Sequence, residues 1–235
     1  MSREDKSYKI VCFGDSTTDD SLVPIEGYEV NFKDLKVYSE FLDDQLPKFL
    51  GKPVEIINSG LSGDTTNDAR FRFQSDVLSH NPDLVIIQFG VNDQVIRQDI
   101  GLTKAVVSST KFAYNILFFI QRIRRQGGKV ILMTPGLLRW RDHFTKRFFR
   151  APYYLNDPFG MNGSLLFYVE QIEKIARTED IPLVDIFQEE KKFDAGVGQS
   201  IDDLLPDGIH PNTEGHKLIA ERIIEKICEV KPEII

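Results

Sequence analysis

The sequence predicts a three-layer α/β/α sandwich around a central parallel sheet of about five strands. Three observations carry this. Short runs of β-branched and aliphatic residues alternate with longer amphipathic stretches, and each short run stops at Gly, Asn, Pro or Asp. The intervals between the short runs are long enough for a crossover helix, so consecutive strands pair in parallel with helices on both faces.

The first strand is Tyr8 to Phe13, Tyr-Lys-Ile-Val-Cys-Phe, which ends at Gly14 as a buried strand does. A helical pattern from Val37 to Leu50 leads to the second strand, Pro53 to Asn58. A helix over Asn67–Ser79 precedes the third strand, Asp83 to Phe89, and one over Thr103–Gln126 precedes the fourth, Lys129 to Met133. A helix over Asn162–Thr178 and a fifth strand from Pro182 to Ile186 follow. The last helix runs from Thr213 to about Val230, with Ile219, Ile223, Ile224 and Ile227 on one face. Gly136 to Met161 is the least regular stretch, too long for an ordinary connection, and is read as an insertion with a functional role.

The 235 residues, 41% hydrophobic, suffice for one large core, and residues 1–235 are read as a single domain. A net charge of -7 repels phosphate backbones and anionic lipid, so neither nucleic acid nor a membrane surface is an expected partner. Cys12, in an apolar run, and Cys228, in the last helix, read as free thiols, and no metal-ligand cysteine spacing occurs. Met1 to Lys9 is polar and charged, which gives a cytoplasmic expectation. Nothing in the sequence sets an oligomeric state.

In an open parallel sheet, ligands bind beyond the carboxyl ends of the strands, so the residues just after each strand matter most. After the first comes Gly14-Asp15-Ser16-Thr17-Thr18, and after the second Asn58-Ser59-Gly60-Leu61-Ser62-Gly63-Asp64-Thr65. After the third comes Gly90-Val91-Asn92-Asp93, and before the last helix Asp207-Gly208-Ile209-His210-Pro211-Asn212. In order and spacing these blocks resemble those of the SGNH/GDSL hydrolases, over nearly the whole chain. The resemblance implies a flavodoxin-like layout and an esterase with Ser16 as nucleophile and Asp207 and His210 as its partners. It also implies an oxyanion hole made by the Ser16 and Gly63 N–H groups and the Asn92 side chain.

The chemistry is coherent on its own terms. A serine hydroxyl needs an adjacent base to become a useful nucleophile. His210 is the histidine in a loop beyond the strand ends, and Asp207 three residues earlier can face its Nδ1, which leaves Nε2 for the Ser16 proton. Attack on an ester carbonyl builds an oxyanion that needs donors already in place, each worth on the order of a hundredfold in turnover. At Gly63 the missing Cβ lets the N–H approach substrate. No Gly-x-Ser-x-Gly elbow of the α/β-hydrolase kind is present.

Asp15, Thr17 and Asp93, beside motif residues, and Arg139 and Trp140, after the fourth strand, are the candidate substrate contacts. For Asp15, Asp64 and Asp93 two other readings stand: a metal site, disfavoured because one well-placed histidine is too few, and carboxylates that brace loop backbones. The basic, aromatic run from Arg139 to Arg150 is either a substrate-facing lid or a solvated insertion or subunit contact. His80 reads as a helix C-terminal cap, and His143 and His216 as solvated.

The expected reaction is hydrolysis of a small-molecule ester through an acyl-enzyme, with no metal or organic cofactor, and with activity falling at acid pH as His210 protonates. Gly-Asp-Ser-Thr resembles the sugar acetylesterases of the family, and no long apolar lid is visible. The expected substrate is therefore a short, acetyl-type ester of a carbohydrate or small metabolite. The alternatives are a lysophospholipase, thioesterase or acyltransferase of the same family, or a non-catalytic binding module that keeps the fold.

Overall fold

The computed structural model describes residues 7–21, 34–97, 101–140 and 162–231. Strands β1 (Tyr8–Gly14), β2 (Val54–Gly60), β3 (Leu84–Gln88), β4 (Lys129–Met133) and β5 (Leu183–Val184) form one parallel sheet in the order β2-β1-β3-β4-β5. The order reverses between β1 and β3, and this switch point is where open α/β sheets place their ligands. Helices α1 (Tyr38–Leu50), α2 (Thr66–Asp76), α3 (Ser109–Arg125), α4 (Asn162–Thr178), α5 (Ile186–Asp194) and α6 (Thr213–Glu229) complete the sandwich predicted from the alternating pattern.

Side chains alternate across a strand, so one short run feeds two cores. Val11 and Phe13 of β1 pack with Ala69 and Phe73 of α2, Phe112, Ile116 and Phe119 of α3, and Tyr168 and Ile172 of α4. Ile10 and Cys12 face the other way, onto Tyr38, Leu42 and Leu46 of α1 and Ile219, Ile223 and Ile227 of α6. Phe13 lies at 5.1 Å from Phe89 and 5.3 Å from Phe119, both edge-to-face, and 5.5 Å from Phe73. Such pairs contribute about 0.5–1.5 kcal/mol each beyond the area they bury. This aromatic nest forms a stiff floor under the loop that follows Gly14.

Several element boundaries differ from the sequence reading, each for a local reason. The third helix starts at Ser109, not Thr103. Val106 and Val107 donate their N–H groups to the Val95 and Asp93 carbonyls, and Ser108 caps the helix by accepting from Lys111. The second helix stops at Asp76, and Leu78–His80 is a 3-10 turn that places His80 beyond it. The fifth strand is only Leu183–Val184, because the Asp185 carboxylate accepts from Gln188 and starts a helix that the strand reading had taken in at Ile186. The second strand runs on past Asn58 to Gly60, which is in register with Gly14. Of the irregular 136–161 stretch, residues 141–161, His143 among them, lie outside the described residues. No helix among the described residues is long and apolar enough to cross a membrane.

Candidate active site

Gly14 is in register with Gly60 on one side and Gln88 on the other, so β1, β2 and β3 end at one level. The three loops that leave them are neighbours from their first residue. Two residues beyond Gly14 stands Ser16. Its loop is tightened by the Asp15 carbonyl, which accepts from Thr18 at 3.0 Å and Asp19 at 3.1 Å, and by the Asp15 carboxylate, which accepts from the Thr17 N–H at 3.1 Å.

The segment before α6 reaches over this edge. Asp207 Oδ1 accepts from the backbone N–H of Ile209 at 2.8 Å and of His210 at 2.7 Å, while Oδ2 lies 2.6 Å from His210 Nδ1. Burial works to raise the Asp207 pKa, but the bonds from His210 and Ile209 outweigh it and hold the carboxyl below its ordinary value. An ionised Asp207 only accepts, so neutral His210 carries its proton on Nδ1 and presents the Nε2 lone pair. That lone pair meets Ser16 Oγ at 2.9 Å. Ser16, His210 and Asp207 are thus brought together from opposite ends of the chain as nucleophile, base and orienter must be.

The other sequence candidates fall around this relay. Gly63 adopts φ 84°, a left-handed conformation that glycine takes without strain. A Cβ there would meet no protein atom within 4 Å, so within the protein the backbone conformation is the reason for glycine. Among the described residues, neither the Ser16 nor the Gly63 N–H meets a protein acceptor. Asn92 Nδ2 donates to the Asp64 carbonyl at 3.0 Å, which ties the loop after β3 to the loop after β2 and leaves the second amide hydrogen for another acceptor. The three oxyanion candidates therefore sit on three loops that are fastened to one another.

Three of the five candidate substrate contacts are buried. Asp15 is 1% exposed, Thr17 5% and Asp93 0%, and the partners of the two aspartates are backbone N–H groups and hydroxyls of the protein. Asp93 accepts from the Thr66 N–H at 2.9 Å and hydroxyl at 2.5 Å, pinning the start of α2 to the loop that carries Asn92. Burial raises the Asp15 pKa to about 6 and the Asp93 pKa to about 7 against these bonds. Asp15 and Asp93 are backbone braces, and Asp64 serves the guanidinium of Arg72 at 2.5 Å. Arg139 is held by Asp202 at 3.2 Å and Asp194 at 3.6 Å, so its charge is met within the protein. Trp140 packs against the apolar cluster of Leu137, Leu138 and Leu165.

The sequence reading missed two buried groups near the site. His216, expected in solvent, is 1% exposed and stacks on Tyr38 at 6.3 Å between centroids, and Tyr38 in turn bonds Thr18 at 3.0 Å. Burial, reinforced by the charge of His210, pushes its pKa down to about 3, so its imidazole is neutral. Glu190 of α5 lies beneath the loop after β4, where its carboxyl accepts from the Leu137 N–H at 2.5 Å and fills the place a Gly136 side chain would occupy. Neither pattern is visible in one dimension, because both residues sit at helix positions where charge usually means exposure.

The model of the GDSL-like lipase/acylhydrolase family matches residues 12–218, a span that holds all four blocks. The chain belongs to this family. As a GDSL-like hydrolase it is 30% identical over 234 residues to the uncharacterized lipoprotein YqeF of Bacillus subtilis, covering 94% of this chain and 90% of that one. It is 27% identical to an arylesterase of Vibrio mimicus, over 95% and 90% of the two chains. An acetylxylan esterase of Geobacillus stearothermophilus is 25% identical over 74% and 72%. Among solved structures, LAE5, an α/β hydrolase enzyme from the metagenome of Lake Arreo, superposes with a TM-score of 0.72 at 24% identity, over 95% of this chain and 97% of that one. Family membership and esterase relatives support carboxylic ester hydrolysis as the chemistry of this GDSL-like site.

Proposed function

We infer that the chain is a serine esterase that cleaves short-chain esters, foremost acetyl esters of a carbohydrate or small metabolite. The observation that carries this reading is the hydrogen-bonded line Ser16 Oγ to His210 Nε2 to Asp207, at 2.9 and 2.6 Å. The acetyl preference rests on Thr17 after Gly-Asp-Ser and on the acetylxylan esterase among the relatives.

In the first step Ser16 Oγ bonds to the ester carbonyl carbon as its proton passes to His210 Nε2. The carbonyl becomes an oxyanion received by the N–H groups of Ser16 and Gly63 and the Asn92 amide. Asp207 faces the imidazolium and lowers its energy without taking the proton. The carbon–oxygen bond to the alcohol breaks, His210 returns the proton to that alcohol, and an acyl-Ser16 ester remains. Water then attacks the same carbon, giving its proton to His210. The second oxyanion collapses, Ser16 regains its proton, and the acid departs.

Hydrolysis of p-nitrophenyl esters from acetate to long chains, with wild type and Ser16→Ala, tests the reading. The expected result is a preference for the shortest esters, a rate abolished in a folded Ser16→Ala, and an acetyl adduct on Ser16 seen by mass spectrometry after rapid quenching. A folded Ser16→Ala with full rate would sink it, and a rise in rate with chain length would remove the acetyl preference alone.

A further inference from the structure

Arg72 is a helix residue with no place in the reaction above, yet its side chain is only 14% exposed and its guanidinium is used in three directions. Nε donates to Asp64 Oδ2 at 2.5 Å, one terminal nitrogen to the Ser59 carbonyl at 2.8 Å and to Asp76 at 3.3 Å, and the other to the Gly14 carbonyl at 3.0 Å. The planar group rests 4.8 Å from the centroid of the Phe13 ring, which is itself wedged in the aromatic nest. A guanidinium offers five N–H groups in one rigid fork, so the groups that accept from it are held at fixed mutual distances.

Three of those acceptors, Gly14, Ser59 and Asp64, belong to the ends of β1 and β2 and the loops that follow them, and the third donor loop, after β3, is tied to Asp64. Gly14 lies two residues before Ser16, and its carbonyl also accepts from Leu61, at 3.1 Å, where the second loop begins. Asp64 follows Gly63 directly, and the carbonyl of Asp64 is the acceptor that fixes the Asn92 side chain at 3.0 Å. Ser59 is the penultimate residue of β2. Arg72 ties the end of β1, through the Gly14 carbonyl, to the end of β2 and the loop after it, through Ser59 and Asp64.

We propose that Arg72 is a positioning residue that sets the spacing of the Ser16, Gly63 and Asn92 donors by bridging Gly14, Ser59 and Asp64. The proposal rests on the esterase reading of those donors. It goes beyond bracing the fold, because it locates the effect of Arg72 in the stabilisation of the transition state and not in binding. An oxyanion hole works by donors already in place, and loosening them costs turnover while the ground-state ester, which demands less of them, is bound as before.

The test uses the full-length chain and p-nitrophenyl acetate with Arg72→Lys, Asp64→Asn, Asn92→Ala and the double variant Arg72→Lys/Asn92→Ala. Lysine keeps the charge facing Asp64 but cannot reach the Gly14 and Ser59 carbonyls together. The expected result for Arg72→Lys is a fall in kcat of about 30-fold with KM within about threefold. The double variant should lose less than the product of the two single losses, because one of the three donors that Arg72 spaces is already gone. If Arg72→Lys does not fold, Asp64→Asn carries the same test from the other side of the ion pair, with the same kcat-against-KM split. A folded Arg72→Lys or Asp64→Asn with kcat within threefold of wild type overturns the proposal, as does a double variant whose losses simply multiply. A rate that survives Ser16→Ala would instead sink the esterase reading, so the two failures are told apart.

Discussion

Asp207 grips His210 at two points, accepting from its backbone N–H at 2.7 Å with Oδ1 and facing its Nδ1 at 2.6 Å with Oδ2. The two oxygens do different work, and this makes Asp207→Asn informative. The N–H groups of Ile209 and His210 both point at Oδ1, so the asparagine must place its oxygen there and its amide nitrogen opposite Nδ1. Nδ1 must then accept, the ring proton moves to Nε2, and the base facing Ser16 is lost. The expected outcome is a fall in kcat on the order of a thousandfold or more with the fold intact, checked by steady-state rates on p-nitrophenyl acetate beside circular dichroism.

Gly60 and Gly63 should respond differently to alanine. A Cβ on Gly60 would come within 2.2 Å of the Asp19 nitrogen and 2.4 Å of the Thr18 carbonyl carbon, both backbone atoms of the Ser16 loop. Gly60→Ala must push that loop, costing about 1–3 kcal/mol of stability as overpacking does and lowering kcat. Gly63→Ala meets no neighbour within 4 Å and bears only the left-handed backbone cost, about 1–2 kcal/mol. Urea melts of both variants check the ranking, and equal losses would contradict it.

Glu190 gives stability a pH dependence of known sign. Burial raises its pKa to about 8 in the folded chain, opposed by the Leu137 N–H, whereas in the unfolded chain it titrates as an ordinary glutamate. The folded state therefore binds the extra proton, and stability is full below the unfolded value and declines as pH rises towards 8. Glu190→Gln keeps an acceptor for Leu137 and removes the titration. Its stability relative to wild type is expected to improve by a few kcal/mol between pH 5 and pH 9, read from unfolding curves at the two values.

His216 acts in the opposite direction. Its folded pKa is depressed to about 3, first by burial and then by the charge of His210, so the unfolded chain is the one that takes up protons as pH falls. Its contribution is whole above the unfolded histidine value, near 6.5, and is lost as pH falls towards 3. His216→Phe, which keeps a ring against Tyr38, should flatten the decline in melting temperature between pH 7 and pH 4. An unchanged slope would show that the imidazole is not the group that is protonated.

The sequence by itself determined the layered α/β plan and the positions of the four motif blocks, because both are written in local chemistry. A strand buried on two faces is an apolar run, a crossover helix has a periodic face, and a loop after a strand must end the run with Gly, Asn or Asp. That Ser16, Asp207 and His210 share a site was implied by the resemblance of the motif blocks to those of the SGNH/GDSL hydrolases. Only the tertiary structure decided what touches what. Phe71 is 90% exposed and the Arg72 side chain beside it only 14%, the reverse of a hydrophobic reading, because the Gly14, Ser59 and Asp64 oxygens converge where Arg72 lies. Asp15 and Asp93 carry both a substrate-contact and a loop-brace reading in the sequence, and the structure shows their carboxylates accepting from backbone N–H groups, Asp15 from Thr17 in its own loop and Asp93 from Thr66 at the start of α2. A buried polar group is set by partners distant in sequence, and that information exists only once the strand ends stand level with one another.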